Sequence, residues 1–248
     1  MSIVSNLARK FQSLAIIVDN PSLLKLRKKG GYPSIFCELD KPWIHDLGIK
    51  SVLDIGANRG QFSMTINALW PSAVIYAFEP IPDCYQALQA CLPGHQPFNC
   101  FNIGLGEAKS SLVFEVNDFS PASSFLEMSD TQTKTFPKTE NTQSIEVQVE
   151  RLDDIVSTLQ IEDPIFIKID VQGYEDRVLV GGEETVRQAK LIMVETSFKE
   201  MYKGQMLFDG LYRWLTDRGF TYVGAIGQLE SPETGEIIQS DALFLRTN

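Results

Sequence analysis

The chain has 248 residues, and its hydrophobic share of 44% and charged share of 22% are ordinary for a protein with one large packed domain. A net charge of −10 argues against a nucleic-acid substrate, because phosphate backbones are normally bound by a basic surface. No apolar run is long enough to span a membrane, no signal-peptide core begins the chain, and four cysteines without C-x-x-C spacing indicate reduced thiols in a cytoplasmic protein without zinc.

The first 49 residues are predicted to form a helical extension before a domain at residues 50–248. Residues 1–29 are rich in lysine and arginine, and apolar residues recur at helical spacing from Ile3 to Val18. Two interpretations stay open: a weak peripheral contact with anionic lipid or an acidic partner, and a cap packed on the domain with its lysines in solvent. The cap is favoured because the basic cluster is short.

The most informative stretch is V-L-D-I-G-A-N-R-G at Val52–Gly60, where a buried strand leads through a glycine-rich turn into an amphipathic helix. Gly56, Asn58 and Gly60 allow the backbone to approach a ligand closely, and helix-start amides favour an anionic group. Asp54 at the strand tip would repel a pyrophosphate but accept an ammonium group. An amino-acid moiety therefore fits better than a dinucleotide, whose G-x-G-x-x-G fingerprint fails in register. The alternative is a structural turn that binds nothing.

A second predicted strand, Val74–Phe78, ends at Glu79-Pro80 and is followed by another helix. Glu79 lies 25 residues after Asp54, near the spacing at which an acidic residue meets a ribose in nucleotide-binding βαβ units. A carboxylate accepts hydrogen bonds from both ribose hydroxyls and rejects a 2′-phosphate. Ribose recognition is favoured over the alternative, a solvated charge at a strand end.

The rest of the chain alternates strands and helices, which indicates an α/β, Rossmann-like fold with a seven-stranded, mostly parallel sheet covered on both faces. Strands are predicted at 51–55, 74–78, 98–103, 165–170, 190–195, 220–225 and 241–246, the last two forming an antiparallel edge hairpin. Helices are predicted at 61–69, 83–91, 151–159, 175–188 (broken at Gly181-Gly182) and 206–218.

One region interrupts this alternation. Short strands are predicted at Ser111–Val116 and Ile145–Val149, and residues 120–144 contain ten serines and threonines. A loop this long in a compact domain is normally a lid, a binding loop or disorder. It follows a strand whose carboxyl end lies where open α/β sheets bind ligands. A substrate-facing lid is favoured, with Ser123, Ser124 and Phe125 as the expected contacts.

Two carboxylates at strand ends are the candidate catalytic residues. In F-I-K-I-D, the two-residue period places Lys168 and Asp170 on one side with Asp170 at the tip, and Glu195 ends the next strand. Asp170 could hold an ammonium group, act as a general base, or both, and a salt bridge to Lys168 is the structural alternative. The pair also suits magnesium, which is not favoured because no third carboxylate is identified. His45 and His95 lie at the wrong edge of the sheet to act as a base.

Six stretches occur in order over roughly residues 50–246. They are V-L-D-I-G-A-N-R-G-Q-F-S (Val52–Ser63), A-F-E-P-I-P (Ala77–Pro82), N-I-G-L-G (Asn102–Gly106), R-L-D-D (Arg151–Asp154), I-K-I-D-V-Q-G-Y-E (Ile167–Glu175) and V-E-T-S (Val194–Ser197). Together they resemble the FkbM family of S-adenosylmethionine-dependent methyltransferases. The helix after Glu175 departs slightly from the family pattern, at D-R-V-L-V-G-G, outside the expected site.

The resemblance implies a class I methyltransferase fold and methyl transfer from S-adenosylmethionine, usually to a hydroxyl of a sugar, glycolipid or natural product. A small-molecule or glycan acceptor is therefore expected, and Asp170 and Glu195 should project toward the methionine end of the cofactor. The predicted cofactor-binding residues are Asp54, Gly56, Asn58, Gly60, Ser63, Glu79, Pro80, Asn102 and Gly104. The alternatives are an NAD-linked oxidoreductase or epimerase, which the failed fingerprint and the lack of a Y-x-x-x-K pair disfavour, and a non-catalytic cofactor-binding protein.

Overall fold

A seven-stranded sheet forms the centre of the protein, whose computed structural model describes residues 22–93, 97–117, 120–135 and 142–247. In chain order the strands are β1 (Ser51–Ile55), β2 (Val74–Phe78), β3 (Phe98–Phe101), β4 (Gly104–Leu105), β5 (Ser110–Asn117), β6 (Thr142–Glu150), β7 (Ile165–Ile169), β8 (Leu191–Ser197), β9 (Phe220–Glu230) and β10 (Ile237–Arg246). The helices are α1 (Ser22–Lys29), α2 (Pro33–Leu39), α3 (Pro42–His45), α4 (Gln61–Leu69), α5 (Pro82–Cys91), α6 (Asp130–Thr135), α7 (Leu152–Val156), α8 (Glu175–Gly181), α9 (Glu183–Gln188) and α10 (Phe208–Thr216).

The strand order of the large sheet is β3-β2-β1-β7-β8-β10-β9. The first five of these strands run parallel, and β10 runs antiparallel to both β8 and β9. From β1 the chain proceeds to one side through β2 and β3 and later returns to the other side at β7. Ligands of open α/β sheets bind at such a reversal point, beside the carboxyl ends of the strands. The predicted class I arrangement with an antiparallel edge hairpin is confirmed.

Helices cover both faces of this sheet, which explains why its central strands are buried along their whole length. All five residues of β1 and all five of β7 are buried. Leu53 and Ile167 pack on one face with α8, α9 and α10, whereas Val52 and Phe166 pack on the other with α1 to α4. The side chains of a strand alternate between the two faces of the sheet. When helices cover both faces, the side chains on both must be apolar, so the strand appears in the sequence as a continuous apolar run.

The segment before β1 belongs to the same core. Leu23 and Leu26 of α1 are buried in a cluster with Met64 of α4, while the lysines and arginine of α1 are exposed. The predicted amphipathic helix from Ile3 to Val18 lies outside the described residues. The helices α1 to α3 contain eight, seven and four residues, which is too short for a clear apolar period. In the part of the chain that the structure describes, no helix is both long and apolar enough to cross a membrane.

A second, three-stranded sheet follows β3 and packs on the start of α5. Its order is β4-β6-β5, with β5 and β6 antiparallel, and these two strands correspond to the short strands predicted at 111–116 and 145–149. The predicted strand at 98–103 ends at Phe101, and the chain enters the second sheet at Gly104, beyond the predicted end. Between the two sheets, Asn102 donates hydrogen bonds to the carbonyl oxygens of Glu79 and Pro80 at 2.9 and 3.0 Å. These bonds tie the end of β3 to the end of β2 before the chain enters the second sheet.

The remaining elements follow the predictions with altered ends. The predicted helix at 175–188 is divided into α8 and α9 at Gly182, and β9 and β10 are both longer than expected. The predicted helix at 151–159 ends at Val156. The hydroxyls of Ser157 and Thr158 donate to carbonyl oxygens three residues earlier, at 2.7 Å each, and such local bonds compete with helix continuation.

Candidate functional site

A cavity of about 380 Å³ opens at the carboxyl ends of β1, β2, β7 and β8. The predicted site residues in its wall are Gly56, Asn58, Glu79, Pro80, Gly104, Asp170 and Glu195. Those that are not part of the wall are Asp54, Gly60, Ser63 and Asn102. Parallel strands deliver their carboxyl ends to one edge, so residues far apart in sequence meet here.

The turn after β1 brings two strand ends together. Gly56 has φ +76, and a Cβ at this position would overlap the carbonyl oxygen of Asp170. Asn58 is also left-handed, with φ 49, and its N–H donates to Glu79 Oε2 at 2.8 Å. Glycine at position 56 therefore permits the close approach of β1 and β7, and one amide of the turn is held by a side chain of the protein itself.

Gly60 contributes to packing between helices and does not reach the cavity. It precedes α4 with φ +85. A Cβ there would overlap the sulfur of Cys91 and lie 3.1 Å from Leu88 Cδ1, and both residues belong to α5. The sequence predicted that Gly60 lets the backbone approach a ligand closely. In the structure it instead lets the backbone approach the neighbouring helix α5.

Glu79 is a buried carboxylate at the end of β2, with 4% of its surface exposed. Oε2 accepts the N–H of Asn58 and Oε1 accepts the N–H of Ile81, each at 2.8 Å. Burial raises the pKa of Glu79 to about 7, against the opposing effect of these two N–H groups. The acid thus fixes both the turn after β1 and the start of α5 while it faces the cavity.

Asp54 is fully buried behind the wall. Its Oδ2 accepts a hydrogen bond from the Ser63 hydroxyl at 2.6 Å. Its Oδ1 lies 3.4 Å from Lys168 Nζ and accepts no hydrogen bond from the described residues. Lys168 Nζ instead donates to the carbonyl oxygen of Gly56 at 2.7 Å. The ammonium group beside Asp54 is therefore supplied by the protein itself.

Lys168 links Asp54 to the acids of the cavity. Its Nζ lies 3.6 Å from Asp170 Oδ2, and only 6% of its side chain is exposed. Burial acts to lower the pKa of Lys168, but the charges of Asp170, Asp54 and Asp241 outweigh burial and raise this pKa. Lys168 stays protonated and neutralises part of the negative charge at this end of the cavity.

Gln172 joins the two predicted catalytic acids. Its backbone is left-handed, with φ 56, and its Nε2 donates to Asp170 Oδ1 at 2.8 Å and to Glu195 Oε2 at 2.7 Å. Its Oε1 accepts the hydroxyl of Tyr202 at 2.8 Å. Glu195 Oε2 also accepts a hydrogen bond from Gln239 at 3.2 Å. The side-chain amide of Gln172 therefore fixes the positions of both acids relative to each other.

A third carboxylate, Asp241 of β10, faces the same cavity and was missed from the sequence. It is paired in register with Glu195 of β8. Burial and the charge of Asp170 raise the pKa of Asp241 to about 7, while Lys168 opposes this shift. Burial, followed by the charges of Asp170, Glu175 and Asp241, raises the pKa of Glu195 well above its ordinary value. The pKa values of both Asp241 and Glu195 are therefore raised by burial and by the neighbouring negative charges.

Part of the predicted lid closes one side of the cavity. Ser120, Ser123 and Phe125 lie in the wall. The Ser124 hydroxyl donates to the carbonyl oxygen of Gln172 at 2.6 Å, so Ser124 anchors the segment instead of lining the cavity. Residues 136–141 of the predicted lid lie outside the described part of the chain.

The start of α2 also reaches the cavity, through Tyr32 just before the helix and Ser34 and Ile35 in its first turn. The N–H of Tyr32 donates to the Thr65 hydroxyl at 2.8 Å, and burial, together with the charge of Asp170, raises the pKa of its phenol. The sequence signal was the Gly-Gly-Tyr-Pro turn, which marks a change of direction but does not indicate a site.

A magnesium ion at the two strand-end acids was an alternative that the sequence did not favour. In the structure, Asp170 and Glu195 are bridged by the amide of Gln172. Among the described residues, no group of three or more His, Cys, Asp or Glu side chains is arranged to hold a metal ion.

The strand order, with its antiparallel edge hairpin, is that of the Rossmann-like α/β fold of class I methyltransferases. The sequence model of the methyltransferase FkbM domain matches residues 54–222, more than half of the chain. The protein therefore belongs to the FkbM methyltransferase family.

Three relatives match over shorter stretches. The 2-O-methyltransferase NoeI of Sinorhizobium fredii (strain NBRC 101917 / NGR234) is 28% identical over 166 residues, which cover 62% of this chain and 66% of NoeI. Methyltransferase 1 of Beauveria bassiana (strain ARSEF 2860) is 28% identical over 52% of this chain and 57% of its own. Methyltransferase sdnD of Sordaria araneosa is 27% identical over 58% of this chain and 65% of its own. The chain thus spans less than two thirds of the length of these relatives.

Proposed function

We propose that the protein is an S-adenosylmethionine-dependent methyltransferase that acts on a hydroxyl oxygen of a sugar, glycolipid or natural product. The main support for this proposal is that one cavity has Glu79 at one end and the acids that follow β7 or belong to β8 and β10 at the other. S-adenosylmethionine, when bound, supplies an electrophilic methyl group on a sulfonium. The protein has to bind it, orient the acceptor and take up a proton.

The wall of the cavity fits such a ligand. Glu79 suits the ribose hydroxyls, because each carboxylate oxygen can accept a second hydrogen bond beside its backbone N–H. Ile81, Ile103 and Phe114 form an apolar part of the wall that suits a purine ring. At the other end the carboxylates outnumber the one buried ammonium group, so a ligand with a sulfonium and an ammonium group is attracted there.

The predicted cofactor residues divide into two groups in this proposal. Those in the wall contact the ligand, and they are Gly56, Asn58, Glu79, Pro80 and Gly104. Those outside the wall hold the first group in place, and they are Asp54, Gly60, Ser63 and Asn102. Asp170 and Glu195 face the methyl acceptor, with Gln172 fixing their separation.

A polar acceptor is supported by the groups around the three acids. Tyr32 and Gln172 lie in the wall beside Asp170, and together they offer hydrogen-bond donors and acceptors to a molecule with several hydroxyls. The name of one relative, a 2-O-methyltransferase, also supports oxygen as the acceptor atom.

Calorimetry with the purified protein tests the cofactor. S-adenosylmethionine and S-adenosylhomocysteine should bind, and NAD should not, because the turn after β1 offers no pyrophosphate site. Tight binding of NAD without any response to S-adenosylhomocysteine would contradict the proposal.

The acceptor is tested with methyl-labelled S-adenosylmethionine and pairs of simple glycosides. Methyl glucoside and its 2-amino-2-deoxy counterpart differ only in one acceptor atom, so they separate oxygen from nitrogen methylation. Mass spectrometry should find the added methyl group as an ether. A methyl group found only on the nitrogen of the amino sugar would leave the methyltransferase assignment intact and overturn the oxygen acceptor.

A further inference from the structure

Within the described residues, Asp241 is the only carboxylate in the cavity wall whose oxygens accept no hydrogen bond. Asp170 and Glu195 share the amide of Gln172, and Glu195 also accepts a bond from Gln239. The acid at the end of β2 binds two backbone N–H groups. A carboxylate oxygen that is already bound by amides is a weaker base than one whose lone pairs are free. Among these acids, Asp241 is therefore the one whose oxygens are not already engaged by hydrogen-bond donors.

The backbone of the edge hairpin makes room for this carboxylate. The pairing of β10 with β9 shifts between Ser240 and Asp241, which leaves Gly227 as an extra residue. Gly227 has φ +63, and a Cβ there would lie 3.0 Å from Asp241 Oδ2. Bulges of this kind redirect side chains and are frequent beside active sites. The bulge accommodates the carboxylate of Asp241 where it meets the cavity.

The neighbourhood of Asp241 is strongly charged. The titratable or charged groups that face it are Asp170 and Lys168 from β7, Glu195 from β8 and Tyr32 from the turn before α2, while β9 places Ile226 and Gly227 beside it. Like charges directly opposite each other on paired strands are unfavourable. Burial and Asp170 accordingly raise the pKa of Asp241 to about 7, near the value that suits a general base at neutral pH.

We propose that Asp241 takes the proton from the acceptor hydroxyl, while Asp170 and Glu195 orient the acceptor. The inference rests on the proposed function and adds the residue that completes it. The acceptor O–H bond breaks and its proton passes to the Asp241 carboxylate. The oxygen forms a bond to the methyl carbon as the carbon–sulfur bond breaks, and the electron pair of that bond stays on sulfur.

The first test needs no acceptor. Calorimetry of S-adenosylmethionine binding near pH 7, in buffers that differ in ionisation enthalpy, counts the protons released. A sulfonium near Asp241 favours its ionised form, so the wild-type protein should release a fraction of a proton per ligand bound. Asp241→Asn should lose at least half of this release, whereas Asp217→Asn, which removes an exposed carboxylate on the surface, should match the wild type.

The second test measures turnover with the methyl glycoside that the wild type accepts. Asp241→Asn should lower turnover by about 10²-fold or more and remove the rise in rate with pH near 7, with S-adenosylhomocysteine affinity within about threefold of wild type. Gly227→Ala should lower turnover less, because its Cβ crowds the carboxylate without removing it.

Equal proton release in the wild type and Asp241→Asn would overturn the proposal. So would an Asp170→Asn variant that loses the pH-dependent rise in rate while Asp241→Asn keeps it. A wild-type protein that does not bind S-adenosylmethionine at all marks failure of the proposed function instead, and this result precedes any comparison of variants.

Discussion

Glu79 shows how one side chain can serve both the fold and the site. Its two oxygens hold backbone N–H groups on either side of the cavity, at Asn58 and Ile81. The same carboxylate lies in the wall, where it suits a ribose. A change that alters its hydrogen-bonding capacity therefore affects stability and ligand binding together.

We expect Glu79→Gln to lower the affinity for S-adenosylhomocysteine at least tenfold, because it removes charge-assisted hydrogen bonds of about 1.5–3 kcal/mol each. One oxygen becomes an NH₂ group that faces a backbone N–H donor. The free energy of unfolding should therefore also fall, by about 1–3 kcal/mol. Calorimetry and urea titration measure the two effects.

Asp83→Asn is the matched control, since it makes the same change at an exposed position of α5. Its affinity should equal that of the wild type, and its free energy of unfolding should fall by no more than about 1 kcal/mol, because Asp83 lies in the first turn of α5. An unchanged dissociation constant in Glu79→Gln would restrict Glu79 to its structural role.

At the scale of elements, the contact between α4 and α5 depends on the absence of a side chain at position 60. Gly60 combines a left-handed backbone with direct contact to Cys91 and Leu88. Most substitutions here combine backbone strain with overpacking of a tight helix contact. The turn before α4 also carries the amide that binds Glu79, so the packing of these two helices sets the position of the site.

Gly60→Ala should lower the free energy of unfolding by about 2–4 kcal/mol, as the sum of the left-handed backbone cost and overpacking. Gly204→Ala is the control, because Gly204 has φ +73 and a Cβ there has nothing within 4 Å. It should show the backbone cost alone. Chemical denaturation of both variants gives the comparison.

Adding Cys91→Ala to Gly60→Ala should recover part of the lost stability, since it removes the sulfur that the new Cβ meets. Equal losses in Gly60→Ala and Gly204→Ala, with no recovery in the double variant, would contradict the packing role of Gly60.

At the scale of the whole molecule, several buried acids make the stability depend on pH. Burial raises the pKa of Glu79, Glu175 and Asp241 to about 7 each. An acid whose pKa is raised in the folded protein binds a proton more tightly than in the unfolded chain. Its favourable contribution is complete below the unfolded pKa, near 4, and is lost as the pH rises through about 7.

Asp241→Asn should remove one of these contributions, because Asn resembles the neutral acid at every pH. The melting temperature of the variant relative to wild type should therefore rise between about pH 4 and pH 7 and then level off. Scanning calorimetry between these two pH values measures the difference in melting temperature, with Asp217→Asn as the control. A difference that stays constant with pH would show that Asp241 does not titrate in this range.

The sequence alone determined the sheet and much of its edge. Continuous apolar runs identified β1, β2 and β7 with nearly correct ends, because a strand buried on both faces has to be apolar throughout. Glu79 and Asp170 directly follow two of these apolar runs. Both lie in the cavity wall, because parallel strands end at the same edge of the sheet. The local sequence pattern is enough to predict those parts of the cavity wall that a single strand and the residue after it provide.

Only the tertiary structure decided how that edge is completed. Asp241 enters through an antiparallel strand whose register is set by a bulge at Gly227, and no local pattern specifies that pairing. Tyr32 arrives from a segment that packs back on the sheet, and Gln172 connects acids of two strands through its side chain. Long-range pairing and side-chain hydrogen bonds depend on neighbours distant in sequence, so they become definite only when the chain is folded.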